Sequence, residues 1–221
     1  MLEVLGLGWI DEEAYGQGYR KLQWPIDDSA TLYQLGLQQG FFPKPIKNFG
    51  RFEVLTQRLC LVTALALQDA GLSYGQQALD MGLLTVNKQG CVASNRNFFQ
   101  DYLDGGRHLS RANLFIYTLP TSASAEAAIY FGLQGPLLFM ESLSDSLEAE
   151  IRVVNGLLQT GQAQSIMMYL IEESYPVGLV LGEVPETRSS GIDITTLPRA
   201  IESQVYRVTE ALKRTGQTHE N

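Results

Sequence analysis

Two kinds of apolar pattern alternate along the chain, and this alternation constrains the fold more than any other feature. Short unbroken apolar runs such as 81–86 and 165–171 are typical of buried strands, whereas 54–70 carries leucine and valine residues at helical spacing. A helix with one apolar face is predicted at about 147–158, and a last helix at about 197–213. Strands that alternate with helices predict an α/β fold with a mixed, mostly parallel sheet layered with helices.

The other elements follow from the same patterns and from the positions of glycine and proline. Glycine ends three of the predicted helices, as expected for a residue that adopts the left-handed conformation after a helix. In chain order the remaining predictions are a strand at 3–9, a loop-rich region up to Gly50, helices at 95–103 and 123–131, strands at 137–140 and 177–181, and a linker at 185–194.

Composition limits the classes of function. The 221 residues, 45% of them hydrophobic, predict one domain or at most two small ones. No apolar run approaches the roughly 20 residues that span a bilayer, and the N-terminus lacks the pattern of a signal peptide, so we expect a cytoplasmic protein without a membrane partner. A net charge of −8 with sixteen scattered Lys and Arg disfavours nucleic acid, and also direct docking of an acidic carrier protein.

The two cysteines and two histidines do not form a ligand set. Cys60 lies in an apolar helical stretch and Cys91 follows a glycine, with no histidine near either in sequence. His108 stands in an expected loop and His219 in a polar tail. We therefore predict reduced thiols, no metal site and no cofactor.

The segment Glu141–Ser146 joins a predicted strand to a predicted helix through a tight polar turn. This geometry presents a nucleophile at a helix N-terminus, where the dipole and the free amides favour an anion. Any catalytic group of the chain is expected at this turn.

Several segments resemble the β-ketoacyl synthases of the thiolase fold. The resemblance covers about residues 2–174, and its most specific part is Gly132-Leu-Gln-Gly-Pro136 with its fixed distance to Gly161. It implies a thiolase-like half: residues 1–182 as an N-terminal ketosynthase-like domain, and 183–221 as a linker and a C-terminal helix whose packing the sequence leaves open. The segments that carry the resemblance are Gly6-Leu-Gly8, Asn48–Phe52, Asp69-Ala-Gly71, Ser110–Ser122, Ala125–Pro136 and Ala163–Glu172.

The resemblance places the family's nucleophilic cysteine on Ser144. A cysteine at a helix N-terminus is readily held as thiolate, whereas a serine needs a neighbouring general base. The family's histidines, or its histidine and lysine, belong to a C-terminal half, and the chain ends near the point where that half would begin. Carboxylates such as Glu141 and Asp145 are poor bases at a helix N-terminus, because they are stabilised there as anions. Ser144 is therefore interpreted either as a helix N-cap or as an acyl acceptor, and Cys91 either as packing or as a displaced nucleophile.

The apolar segment Asn113–Pro120 corresponds, through the resemblance, to a part of the synthases that lies at the dimer interface and lines the acyl tunnel. The alternative is ordinary core. The residues assigned to an interface or acyl pocket are Asn113, Phe115, Tyr117, Leu119 and Pro120.

Three functions follow. The first, implied by the resemblance, is a non-catalytic subunit similar to a chain length factor. Such a subunit pairs with an active ketosynthase and meets an acyl carrier protein only indirectly. The chain most resembles the short ketosynthase-like proteins that accompany fatty-acid-like or aryl-polyene-type pigment synthesis. The second is a Ser144-dependent acyltransferase or hydrolase. The third is an acyl-binding or regulatory module, which would be a homodimer.

Overall fold

The structure is a computed structural model that describes residues 2–26, 31–108, 111–141, 146–173, 175–183 and 194–217. Fourteen helices and strands occupy these ranges, along with two short 3-10 turns. In chain order they are β1 (Leu2–Ile10), β2 (Ala14–Gln17), β3 (Gln23–Pro25), α1 (Leu32–Gln38), α2 (Val54–Asp69), β4 (Met81–Asn87), α3 (Val92–Asp104), α4 (Ala112–Ile116), α5 (Ser122–Phe131), β5 (Leu137–Met140), α6 (Glu148–Gln159), β6 (Ser165–Glu172), β7 (Tyr175–Glu183) and α7 (Arg199–Gln217).

One sheet of seven strands forms the centre, in the order β3-β2-β1-β7-β6-β4-β5. The predicted mixed α/β fold is confirmed. Five strands run in one direction, yet of the six neighbouring pairs in the described sheet only β4–β5 and β4–β6 are parallel. Strands β2 and β7 run opposite to the other five. Strand β2 is antiparallel to its neighbours β1 and β3, and β7 is antiparallel to its neighbours β1 and β6, forming a hairpin with β6.

Two glycines of β1 let helix α2 lie directly on the sheet. A Cβ at Gly6 would stand 2.4 Å from the Ala66 carbonyl oxygen, and one at Gly8 would stand 2.5 Å from the Val62 carbonyl oxygen. Both distances are shorter than any normal contact, so only glycine permits this approach. The Gly6-Leu-Gly8 motif therefore has a packing role.

Asp69, at the end of α2, joins that helix to the first strands. Its buried carboxylate accepts hydrogen bonds from the backbone amides of Leu7 at 2.9 Å, Tyr19 at 3.0 Å and Arg20 at 2.9 Å. The Asp69-Ala-Gly71 motif thereby fixes the turn between β2 and β3, fifty residues away in sequence.

Helices cover both faces of the sheet. Helix α2, with α1 and α5, packs on one face, while α6 and α7 pack on the other. The apolar side of α7 consists of Ile201, Val205, Val208 and Ala211, each no more than 3% exposed. The C-terminal helix, whose packing the sequence left open, lies against α6 and β1.

The main correction concerns the region between the first predicted strand and Gly50, which was predicted as loop-rich. It contains β2, β3 and α1, three elements too short to produce a periodic pattern. The predicted linker at 185–194 lies almost wholly outside the described residues. Within the described ranges, no helix combines the length and apolarity needed to cross a bilayer.

Candidate functional site

A two-part cleft opens at the carboxyl ends of the parallel strands β4 and β6, the edge where ligands bind in open α/β sheets. Its inner cavity of about 30 Å³ lies between Leu59 of α2, Phe139 of β5 and Ile171 of β6. An outer cleft of about 410 Å³ adjoins it, and both parts share Glu53 and Asn87 in their walls.

Helices α2 and α3 both begin at this cleft. Their N-cap residues are Glu53 and Cys91, and neither side chain caps its own helix. Instead the Ser94 hydroxyl donates to the Glu53 carboxylate, at 2.7 Å and 2.9 Å from its two oxygens. The carboxylate from the start of α2 thus lies at the first turn of α3, where the helix dipole favours negative charge.

Cys91 lies in the wall of the inner cavity. Burial raises the pKa of its thiol, and the negative charge of Glu53 raises it further. The thiol is therefore protonated at neutral pH, which argues against Cys91 as a displaced nucleophile because the thiolate is the reactive form. Cys60 is fully buried in α2, and burial raises its thiol pKa to about 12.

The five residues assigned to an interface or acyl pocket divide into two groups. Tyr117 is buried and lines the inner cavity together with Leu119 and Pro120. Asn113 and Phe115 instead face outward, and Phe115 is 54% exposed. The segment therefore contributes to the cavity wall on one side and to the protein surface on the other.

Helix α3 has no buried residue, and it packs mainly on α4. The ring of Phe98 contacts that of Phe115, with centroids 5.6 Å apart, outside both cores of the domain. The two helices present large apolar side chains to the exterior. We call this the α3–α4 surface: Val92, Phe99, Phe115, Ile116 and Leu119, each between 47% and 58% exposed.

The sheet ends on one side at β5, which pairs only with β4 among the described strands. The amide of Leu83 donates to the carbonyl of Pro136 at 2.7 Å. Because bonding alternates along a parallel ladder, Leu138 and Met140 face β4, whereas the backbone groups of Leu137 and Phe139 face the open edge.

Residues 142–145 of the predicted nucleophile turn, Ser144 and Asp145 among them, lie outside the described residues, as does His219. Helix α6 begins at Glu148 with Leu147 at its N-cap. Both interpretations of Ser144 stay predictions. His108 is exposed, as expected for a loop, and Glu141 is also exposed. Within the described ranges, no group of three or more His, Cys, Asp or Glu is placed to hold a metal ion.

Sequence reasoning missed the polar side of the cleft. Glu53 and Ser94 are 41 residues apart and meet only because two helices start at the same edge of the sheet. The sequence did contain one indication: Glu53 and Ser94 each directly precede a predicted helix.

Comparison with known proteins supports the fold. No protein-family model matches the sequence, and the search of curated proteins gave no match. Among solved structures, a β-ketoacyl synthase from Burkholderia phymatum STM815 matches with a TM-score of 0.56 and 15% identity, over 83% of this chain and 59% of that chain. A complex of a ketosynthase with its chain length factor from Xenorhabdus doucetiae matches with a TM-score of 0.53 and 13% identity, over 91% of this chain and 92% of that chain. The ishigamide ketosynthase/chain length factor matches with a TM-score of 0.52 and 14% identity, over 85% of this chain and 63% of that chain.

These likenesses show that the chain has a ketosynthase-like fold. The chain spans less than two thirds of the matched Burkholderia and ishigamide chains, and nearly all of the matched Xenorhabdus chain.

Proposed function

We propose that this chain is a non-catalytic, ketosynthase-like partner subunit of the chain-length-factor type, which pairs with an active ketosynthase in fatty-acid-type or polyketide-type chain elongation. The observation that carries the proposal is the open edge of β5. The acyl carrier protein meets the pair through the ketosynthase, and the pathway suggested by the resemblance is fatty-acid-like or aryl-polyene-type pigment synthesis.

The two edges of the sheet differ in a way that marks β5 for pairing. The β3 edge has only three residues and ends in Pro25, which cannot donate a backbone hydrogen bond. The β5 edge, Leu137–Met140, is wholly apolar and contains neither proline nor charge. An open apolar edge is a template for another strand, and soluble proteins normally cover one.

The α3–α4 surface adds apolar area near that edge. Phe139 of β5 and Leu119 line the same cavity, which places the two features next to each other. A helix without buried residues gains little from its own domain, and contiguous exposed apolar side chains mark interaction sites. A partner that pairs with β5 would cover this surface as well.

The faces of the sheet are less suited to a partner. Helix α7 covers the face beside α6, held by Arg207 to Glu172 at 2.9 Å and Arg214 to Glu148 at 3.2 Å. The outer side of α7 is largely charged, in contrast to the apolar α3–α4 surface. We therefore place the partner at the edge.

The match to a chain length factor complex supports the choice of partner. The matched Xenorhabdus chain has nearly the length of this chain, since 91% of one aligns with 92% of the other. That complex pairs a ketosynthase with its chain length factor, which is the assembly we propose for this chain.

The non-catalytic part of the proposal rests on the sequence at the nucleophile position. Ser144 occupies it, and a serine hydroxyl needs a neighbouring general base to act as a nucleophile. Of the other candidates, the Cys91 thiol is protonated and His108 points to solvent.

The proposal is tested by co-expressing the chain with an active ketosynthase from the same organism and determining the dissociation constant of the purified pair. Phe115→Lys is expected to weaken binding roughly 10- to 100-fold, since burying a large apolar side chain contributes about 1.5–3 kcal/mol and each 1.4 kcal/mol is tenfold. The matched control is Tyr206→Lys on α7, which is 52% exposed but lies over the other face of the sheet.

Equal binding by wild type and Phe115→Lys would place the interface elsewhere. A wild-type chain that forms no complex, and transfers or hydrolyses acyl groups by itself, would refute the partner role. Loss of an acyl adduct in Ser144→Ala would then favour the serine enzyme.

A further inference from the structure

A boundary of a few residues separates the inner cavity from the outer cleft. These residues line both spaces, and they are Glu53, Leu55, Asn87, Gly90, Ser94 and Ile171. A group that passes from the cleft into the cavity must displace at least one of them. The ease with which each can move therefore determines where the cavity opens.

Four of the boundary residues are fixed. Ile171 is 6% exposed within the core, and Leu55 packs against that core. The Asn87 side chain is bonded at both ends, because its Nδ2 donates to the Gly90 carbonyl at 3.1 Å and its Oδ1 accepts from the Gln89 amide at 2.9 Å. Gly90 has no side chain to move. Displacing any of these four would expose the core or break the turn that follows β4.

Glu53 and Ser94 move at a lower cost. Both are half-buried, and the Ser94 hydroxyl joins them by donating to the Glu53 carboxylate. The Glu53 side chain does not cap α2, so its release leaves that helix intact. Helix α3, which carries Ser94, has no buried residue. One hydrogen-bonded pair therefore closes the boundary at its most easily displaced point.

We propose that Glu53 and Ser94 form a gate between the two spaces. When their hydrogen bond breaks, the carboxylate turns into the outer cleft, because an apolar cavity would not solvate its charge. The cavity of about 30 Å³ then joins the cleft of about 410 Å³. Leu59, Thr85 and Phe139 line the cavity beyond the gate, so the group that enters is largely apolar. That this group is the end of an acyl chain rests on the proposed function, whereas the gate is a property of the isolated chain.

Cys91 reports the state of the gate, because it lines the inner cavity and not the outer cleft. The test treats the isolated chain with methyl methanethiosulfonate, a small uncharged thiol reagent, and locates the label by mass spectrometry. Cys60 is fully buried and should stay unlabelled. The negative charge of Glu53 raises the pKa of the Cys91 thiol, so rates are measured across a range of pH and compared per thiolate.

Ser94→Ala should label Cys91 about 10-fold faster than the wild type, the factor expected for the loss of one hydrogen bond to a charged group. Glu53→Ala should have the same effect. The double variant should be no faster than the faster single variant, because both substitutions remove the same bond.

The matched control is Ser124→Ala, which should leave the labelling rate unchanged. Ser124 lines the inner cavity away from the boundary, and its hydroxyl donates to the Thr121 carbonyl at 3.1 Å. The proposal is overturned if Ser94→Ala accelerates labelling per thiolate by less than about 2-fold, or if Ser124→Ala accelerates it equally. Both results leave the partner role untouched, since that role is measured separately with the ketosynthase.

Discussion

Replacing Asp69 by asparagine tests whether one carboxylate holds the first strands against α2. Asp69 uses both oxygens: one accepts from the amides of Leu7 and Tyr19, and the other from the amide of Arg20. Asparagine has the same shape but only one acceptor oxygen. Its side-chain NH2 group is a donor and would point at a backbone N–H, which is also a donor, so no hydrogen bond could form there.

The expected cost follows from these three bonds. A hydrogen bond to a charged group contributes about 1.5–3 kcal/mol, and a neutral one about 0.5–1.5 kcal/mol. Asp69→Asn loses at least one bond and leaves the other two neutral, so the free energy of unfolding should fall by about 3–5 kcal/mol. That is a large share of the total for a domain, which is about 5–15 kcal/mol.

Urea unfolding of the purified chain measures this change, provided that the slope against urea stays constant. The matched control is Asp11→Asn, because Asp11 uses a single oxygen to accept from the amides of Glu13 and Ala14, and asparagine retains that oxygen. The control keeps both bonds in neutral form at an exposed turn, so it should cost less, about 1–2 kcal/mol. A loss below about 1 kcal/mol in Asp69→Asn would refute the role assigned to this carboxylate.

Further substitutions probe packing and burial. Gly8→Ala should lower the free energy of unfolding by about 1–3 kcal/mol because the new methyl group would collide with the Val62 carbonyl. Gly156→Ala, which has open space around it in α6, should raise the free energy of unfolding by about 0.5–1 kcal/mol. If urea unfolding shows that both variants change stability in the same direction, the packing of α2 on β1 is contradicted. The pKa of Cys60 is raised to about 12, so its contribution to stability is complete below the unfolded pKa near 8.5 and is lost as the pH rises toward 12. Between pH 8 and 10 the free energy of unfolding should fall by about 1–2 kcal/mol, and Cys60→Ala should remove most of that fall; an unchanged slope in the variant would show that the thiol is not buried.

The sequence predicted the elements that have a strong pattern. Helices α2 and α6 show apolar residues at helical spacing, and strands β4 and β6 are unbroken apolar runs, because all four are buried in or against a large sheet. These elements lie within a few residues of their predicted bounds. The small elements escaped prediction. Strands β2 and β3 owe their form to Asp69, a contact that no local pattern contains. Helix α1 begins at a capping box of Thr31 and Gln34, which was not singled out.

The structure brings together cleft residues that the sequence did not connect, for a related reason. Tyr117, Leu119 and Pro120 were assigned to an interface or a pocket together, and the structure places them along one cavity. Glu53 and Thr85 were not singled out, since they are 32 residues apart and converge only through the order of strands and helices. A one-dimensional pattern carries no information on such convergence.

Hydrogen exchange at the open sheet edge tests the partner role most directly. The measurement compares the isolated chain with its complex with the active ketosynthase, residue by residue along β5 and β3. The account predicts that the amides of Leu137 and Phe139 exchange slowly only in the complex, while the amide of Gln23, which faces the outer edge of β3, is unchanged. Equal exchange at Leu137 and Phe139 in both samples, or protection that appears at β3 instead, would contradict it.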